Sequence, residues 1–482
     1  MNILFISNFP IMYSHLSGYV PLGIIYLASV LKQAGHHVDV CSSRLSDIRK
    51  AIKKVNPFIV AYSVCTGGIK EYLALNRKIK SEYNVFSVFG GPHPTYFPEM
   101  IEEDGVDAIC RGEGESAMLE LVNVLESCKD ITSLKNWWVK KNNKIYKNQV
   151  KPLIQNLDTI PYPDRSLFFN KYPQMAQSPK KIFMASRGCV FNCAYCFNQK
   201  FNELYKNCNI MRRRSVDNVI KEVLSVINIH KTQLVQFMDD TFILDAKWIK
   251  EFSREYAKKV ALPFVCNVRA DLITEEIVKD LKAGGCFLVM FGIESGNDQI
   301  RSRILKRNMS NEQIIHTSTL LKQYGIKFIT FNIIGIPGED LKDIYQTIQL
   351  NRICEPTYPY ASILQPYPGT DIAKLWLEEE TIENQIIQNK YKEIPFSLHK
   401  KSLFHKKYDF QLNNIHRLFA VFVALPDSKL LFIVIIRLPI TFVYTIIGKI
   451  WSAYCYRRLY NPRLTISQFF IGIWDLFFKS PI

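Results

Sequence analysis

Hydrophobic residues occur along the chain in short runs, separated by longer stretches whose apolar positions follow a helical period. The first run, 2–7 (NILFIS), reads as a buried strand, and a helical stretch from Leu22 to Ala34 ends at Gly35. Further runs lie at 57–63, 85–89 and 106–110, with a weaker one at 37–41. Strands alternating with helices predict a parallel, doubly wound sheet, in which ligands sit beyond the carboxyl ends of the strands. The loops GGPHPT (90–95) and GEGE (112–115) fall at such ends.

Residues 136–175 read as a linker with a Trp-rich hairpin candidate and the turn-rich stretch LDTIPYPDR. The alternation restarts at 182. Strands are expected at 182–186, 234–238, 264–268, 287–293, 327–334 and 360–365. Six strand–helix units suggest a partial barrel with its active site at the carboxyl ends of the strands. The fold class is therefore α/β: a doubly wound sheet over 1–135, a partial (β/α)6 barrel over 176–375, and a mostly helical region over 376–482.

Composition narrows the field. Of the 482 residues, 48% are hydrophobic and 22% charged, a globular balance. The net charge of +17 points to an acidic partner such as nucleic acid, anionic lipid or a phosphate-bearing substrate. The last 86 residues, 397–482, hold 12 Lys and Arg against 3 Asp and Glu, a net of +9. Within them, 430–448 is apolar but contains Arg437 and Pro439, which argue for a surface-lying or partly inserted segment and against a span. A second amphipathic candidate is 464–478, and the plainer reading of both is a helical cap over the barrel. No cleavable signal peptide is expected at the first residues, so the 12 cysteines read as reduced and cytosolic.

The strongest chemical signal is ASRGCVFNCAYCFNQ at 185–199, which places Cys189, Cys193 and Cys196 just after the first barrel strand. Three thiolates on one loop can bind three irons of a cubane cluster and leave a fourth iron for the amino and carboxylate groups of a small molecule. A zinc site with a distant fourth ligand, or a redox disulfide, is the alternative.

This spacing, with Tyr195 before the last Cys, resembles the radical S-adenosylmethionine (SAM) superfamily. FMDDTFI (237–243), CNVRAD (266–271), FGIESGND (291–298), NIIGIPGED (332–340) and LQPYPGTDI (364–372) resemble the strand-end motifs of its branch with an N-terminal cobalamin-binding domain. The resemblance covers about residues 1–375. It implies a [4Fe-4S] cluster on Cys189, Cys193 and Cys196, and SAM contacts from Tyr195, Asp239, Asp240, Arg269, Glu294 and Gly335. Arg269 would take the SAM carboxylate, and Gly335 and Gly338 would let the backbone approach the adenine or turn tightly. As alternatives, Glu294 pairs with Arg269 across the barrel mouth, and Asp240 caps the following helix.

The resemblance also implies cobalamin contacts from Ser63, Gly90, Gly91, Pro92, His93, Thr95, Gly112 and Glu113. His15 keeps the His and Gly spacing of a cobalt-ligand motif, but Tyr13 stands where that motif has Asp. His15 is accordingly not expected to ligate cobalt, and His93 is expected to line the site. A vestigial domain that binds no cofactor is the alternative.

The implied activity is reductive SAM cleavage to a 5′-deoxyadenosyl radical, with methylation of an unactivated carbon through methylcobalamin. Oxidative cyclisation and rearrangement remain alternatives, as do RNA modification and a cobalamin or redox sensor. Electrons would come from a donor such as flavodoxin or ferredoxin. The apolar tail favours a lipid-like substrate and a cytoplasmic enzyme peripheral to anionic membrane, and no nucleic-acid partner is expected.

Overall fold

The computed structural model describes residues 1–8, 18–367, 369–380 and 409–460. The chain divides into two compact units. His15 and the segment 464–478 lie outside the described residues.

The first unit is built from Met1–Ser178 together with Lys200–Arg214. Its strands are β1 (Asn2–Ser7), β2 (His37–Ser42), β3 (Ile59–Ser63), β4 (Phe86–Gly90) and β5 (Ala108–Cys110), alternating with helices α1 (Leu22–Gln33), α2 (Leu45–Val55) and α3 (Ile69–Glu82). A short helix, α4 (Pro92–Tyr96), follows β4, and α5 (Glu115–Glu126) follows β5. The five strands pair in parallel in the order β2-β1-β3-β4-β5. Strands buried on both faces read as continuous apolar runs, as Ile3–Ile6 and Ile59–Tyr62 do.

Part of the expected linker joins this sheet. Strands β6 (Trp137–Lys141) and β7 (Lys144–Lys147) form a hairpin, with β6 antiparallel to β5. Trp137 is buried, and its indole N–H donates to the Ala117 carbonyl at 3.0 Å.

The second unit carries six parallel strands in sequence order: β8 (Lys180–Phe183), β9 (Leu234–Phe237), β10 (Phe264–Asn267), β11 (Cys286–Glu294), β12 (Lys327–Ile334) and β13 (Tyr358–Ile363). Helices α6 (Val216–Ile227), α7 (Ala246–Lys259), α8 (Glu275–Ala283), α9 (Asn311–Gln323) and α10 (Leu341–Cys354) connect them. One core joins Val219, Val223, Phe237, Phe252, Phe264 and Val289, among other residues. α11 (Asp371–Glu380) follows the last strand.

The tail supplies α12 (Asp409–Ala424), α13 (Lys429–Arg437) and α14 (Thr441–Tyr460). The apolar stretch 430–448 is thus two helices and not one. Pro439 lacks a backbone N–H and drives its predecessor out of helical geometry, and Leu438 is extended at φ −75°, ψ 134°. Leu412, Ile415, Phe419 and Phe422 of α12 pack with Ile344, Ile348 and Ile363, so α12 caps the barrel wall. Cys455 and Leu459 of α14 pack against Val265, Leu288 and Tyr358. No helix among the described residues is long and apolar enough to cross a membrane.

Candidate functional site

The cysteine loop follows β8 and packs on the ends of later strands. The Ala194 N–H donates to the Leu305 carbonyl at 2.9 Å, and the Ile372 N–H donates to the Ala194 carbonyl at 3.0 Å. Ala194 also joins Ile333, Ile336 and Leu364 in an apolar cluster. Cys189 and Cys193 are buried, and Cys196 is half-buried. Burial pushes the Cys196 thiol up to about 12, helped by Asp240 and the other two cysteines. Burial also raises Cys189, opposed by a backbone hydrogen bond from Phe191. A nucleophilic cysteine shows the opposite shift. Such thiols ionise only when a cation takes the proton's place, as iron does. Among the described residues, no three His, Cys, Asp or Glu side chains gather around a single metal ion.

Two guanidinium groups face the Cys193 sulfur. Arg269 Nη1 lies 3.7 Å from it and Arg307 Nη1 3.9 Å from it. Arg269 does not pair with Glu294: it makes a two-point ion pair with Asp271, at 3.0 and 2.9 Å, and lies over the Phe191 ring. Arg307 instead supports the neighbourhood of Glu294, donating to the Gly292 carbonyl at 3.0 Å and to the Tyr195 hydroxyl at 3.5 Å.

Glu294 closes β11 in the left-handed region, φ 64°, just past a register shift in the ladder. A non-glycine residue there is strained by roughly 1–3 kcal/mol, a recurrent feature of functional positions. Its side chain folds back over Gly292, where a Cβ would collide with the carboxylate. Burial raises its pKa, while Arg307, the Tyr195 hydroxyl and Arg269 oppose the rise. The Tyr195 hydroxyl donates to Glu294 Oε1 at 2.8 Å. Fully buried Arg301 fixes the turn after Glu294 by donating to the carbonyls of Ser295 (2.5 Å) and Met309 (2.8 Å).

Asp239 and Asp240 have different surroundings. Asp239 is buried and accepts from the Ala185 N–H at 3.1 Å and from the Ser186 hydroxyl, so it ties β9 to the start of the cysteine loop. Asp240 is exposed and accepts from Asn198 Nδ2 at 3.2 Å. The cap of α7 is Asp245, not Asp240. Gly335 has φ 76°, and its N–H donates to Glu339 Oε2 at 2.6 Å. The Ile336 N–H donates to the same oxygen at 3.2 Å, and burial pushes the Glu339 carboxyl up to about 8.

In the first unit, the loops after β3, β4 and β5 meet. Ser63 pairs in register with Gly90. Gly91 has φ 96°, and a Cβ there would stand 2.9 Å from the Val64 nitrogen, so the loop's own backbone requires glycine. Pro92 starts α4 at a position where its missing N–H costs nothing. His93 is completely buried, stacked on Phe97 and 3.2 Å from the Thr66 hydroxyl through Nδ1. It therefore supports the loop from beneath. The Thr95 hydroxyl donates to the Gly91 carbonyl at 2.8 Å and accepts from the Gly112 N–H at 3.1 Å. Gly112 (φ 79°) lies against the Tyr205 hydroxyl. Glu113 accepts from Arg212 at 2.8 Å and from the Ile154 N–H at 2.9 Å. The loops after three strands are thus tied to one another, and His93 and Glu113 have partners inside the unit.

Asp271 and Glu339 lie within the quoted strand-end motifs without being singled out as site residues, and Arg307 lies outside those motifs. Arg307 stands in RSRILKR, where its charge resembles that of its neighbours, and only the backbone path aims it at Cys193.

A model described as the radical SAM superfamily matches residues 184–350, and one described as a B12 binding domain matches residues 15–122. An uncharacterized methyltransferase of Pyrococcus horikoshii is 33% identical over 378 residues, covering 76% of this chain and 79% of its own. An anaerobic magnesium-protoporphyrin IX monomethyl ester cyclase of Rubrivivax gelatinosus is 26% identical, covering 73% and 65%. A cytidylyl-2-hydroxyethylphosphonate methyltransferase of Streptomyces wedmorensis is 25% identical, covering 67% and 71%. In fold, the chain is similar to the cobalamin-dependent radical SAM enzyme OxsB with aqua-cobalamin bound, with a TM-score of 0.70, 16% identity, and 98% and 75% of the two chains covered. It is also similar to the radical SAM methyltransferase TsrM of Kitasatospora setae with tryptophan substrate and a SAM analog bound, with a TM-score of 0.63, 16% identity, and 79% and 76% covered. The chain belongs to the radical SAM superfamily, in the branch with an N-terminal cobalamin-binding domain, and is a methyltransferase-like enzyme that uses a [4Fe-4S] cluster, SAM and cobalamin.

Proposed function

We propose that this enzyme methylates an unactivated carbon of an apolar, lipid-like substrate. The carrying observation is the site around Cys193: three thiols on one loop, two buried and one half-buried, with Arg269 and Arg307 beside the middle sulfur. Cys189, Cys193 and Cys196 would hold the cluster, which when bound supplies the electron for reductive SAM cleavage. The two guanidiniums offset the negative charge of the thiolates. Glu294, held by the Tyr195 hydroxyl, offers its second carboxylate oxygen to a ribose hydroxyl or the SAM ammonium. Arg269 would hold the SAM carboxylate while keeping Asp271 as its partner. The loops at Ser63, Gly90–His93, Thr95 and Gly112–Glu113 would hold cobalamin. A flavodoxin or ferredoxin would supply electrons in the cytoplasm.

The apolar substrate rests on the tail, whose helices bring large hydrophobic residues to the surface beside the barrel. The test is anaerobic incubation of the reconstituted enzyme with reductant, deuteromethyl-SAM and a membrane-lipid extract. Labelled methyl on carbon of a lipid supports the reading. Cyclised or rearranged product without label supports the second reading, oxidative cyclisation, which the cyclase among the relatives favours.

A further inference from the structure

The two last described helices have two different faces. On α14, Tyr444, Gly448, Ser452, Cys455 and Leu459 form an inward row. Gly448 lets the Arg417 carbonyl of α12 approach so closely that any Cβ would collide. Tyr358 and Ser452 hydroxyls lie 3.1 Å apart, and Lys327 Nζ holds the Leu459 carbonyl at 3.3 Å. On α13, Phe432 and Ile436 point inward, and Asn414 Nδ2 caps the Ile436 carbonyl at 3.0 Å. These contacts fix both helices on the barrel.

Their outward rows are also apolar. Leu430, Leu431, Val434 and Leu438 on and just after α13 are exposed, as are Val443, Ile447, Ile450 and Tyr454, a row at helical spacing on α14. Leu430 is 74% exposed and Phe442 78% exposed. Most of the large exposed hydrophobics among the described residues fall between 430 and 456. Isolated exposed apolar residues need no explanation, but a contiguous set does. Charge selects the occupant. Residues 428–460 contain five basic residues and no acidic one. Lys429, Arg437, Arg457 and Arg458 are exposed among or beside the apolar rows.

We propose that the outer face of α13 and α14 docks on an anionic lipid bilayer, with Leu430, Val434, Phe442 and Ile450 entering the headgroup region and the basic residues meeting lipid phosphates. The break at Leu438–Ile440 divides the apolar stretch into two helices, each with its own exposed apolar row. This deepens the lipid-substrate reading by naming the surface from which an apolar substrate comes, but it is tested separately.

The test is flotation of the full-length, cofactor-loaded protein with phosphatidylcholine vesicles, with or without phosphatidylglycerol. The protein is expected to float with the anionic vesicles and to be partly released by salt. Arg437→Gln and Lys429→Gln each weaken binding about fivefold. Phe442→Ser with Leu430→Ser removes most of the salt-resistant binding and leaves cluster and cobalamin absorption unchanged, since both side chains are exposed. A protein that stays at the bottom at low salt overturns the proposal, as does a serine double variant that floats like wild type. A dimer that the serine variant converts to monomer overturns it in favour of a second copy. None of these outcomes touches the cluster chemistry, which formation of 5′-deoxyadenosine and methionine from SAM reads directly.

Discussion

Arg307 Nη1 lies 3.9 Å from the Cys193 sulfur, while Nη2 of the same group donates to the Gly292 carbonyl at 3.0 Å. A cation held at both ends beside a ligand thiolate lowers the electron density on that sulfur and favours the reduced, more negative cluster. Arg307→Met is expected to load the same iron as wild type, shift the cluster potential to more negative values, and slow SAM cleavage about tenfold, the loss of one charged hydrogen bond. Arg307→Lys restores the charge and part of the potential. An EPR-monitored redox titration reads the shift, and an unchanged potential in Arg307→Met counts against this role.

The three cluster cysteines are expected to bind iron with release of protons. Cys196 is pushed up to about 12 and Cys189 is raised, so both are thiols at neutral pH before loading. Cluster assembly must displace those protons, so loading becomes more favourable as pH rises toward the thiol values. Cys189→Ala, Cys193→Ala and Cys196→Ala each lose the cluster, while Cys208→Ala and Cys286→Ala keep it. Iron and sulfide analysis at several pH values checks both statements.

Much of the fold is legible in the sequence, for identifiable reasons. Central parallel strands such as Lys327–Ile334 are covered on both faces and appear as unbroken apolar runs. The edge strand Lys180–Phe183 opens with two lysines, so pattern alone placed it at 182–186. The cysteine loop is contiguous in sequence and its chemistry was readable there. Arg307 and Glu339 were not, because what distinguishes them is their contacts with Cys193 and Gly335. In the sequence Pro439 argues against a span, yet its larger effect is to divide the apolar stretch into two helices with separate inner faces.

Glu339 predicts a pH dependence of stability. Its carboxyl is raised to about 8 by burial, while an unfolded Glu ionises near the ordinary value of 4.5. Between those values the folded state binds a proton that the unfolded state has released, so its contribution is complete at acid pH and is lost as pH rises to about 8. Glu339→Gln keeps an oxygen to accept from Gly335 and Ile336 without the ionisable group. Its unfolding free energy should gain on wild type as pH rises from 5 to 9, by about 4 kcal/mol at the alkaline end. Parallel midpoint curves for the two proteins would show that the carboxyl does not titrate in this range.

Gly112 predicts a rescue that separates steric from backbone effects in the cobalamin-binding unit. A Cβ at this position would run into the Tyr205 hydroxyl, and the residue's φ of 79° strains any L side chain. Gly112→Ala should therefore cost roughly 2–4 kcal/mol and weaken hydroxocobalamin binding, because the Gly112 N–H would lose its place on the Thr95 hydroxyl. Tyr205→Phe in the same chain removes the colliding oxygen but leaves the φ strain and a ring carbon 3.0 Å away. The double variant should recover part of the stability, about 1 kcal/mol, and part of the cobalamin absorption band. Gly91→Ala admits no such rescue, since its Cβ meets the Val64 backbone nitrogen at 2.9 Å and no side-chain change removes a backbone atom. Urea unfolding and cobalamin titration of the single and double variants measure both terms. Full recovery in Gly112→Ala with Tyr205→Phe would mean that the left-handed backbone carries no cost there, and no recovery would mean that the Tyr205 hydroxyl is not what the glycine accommodates.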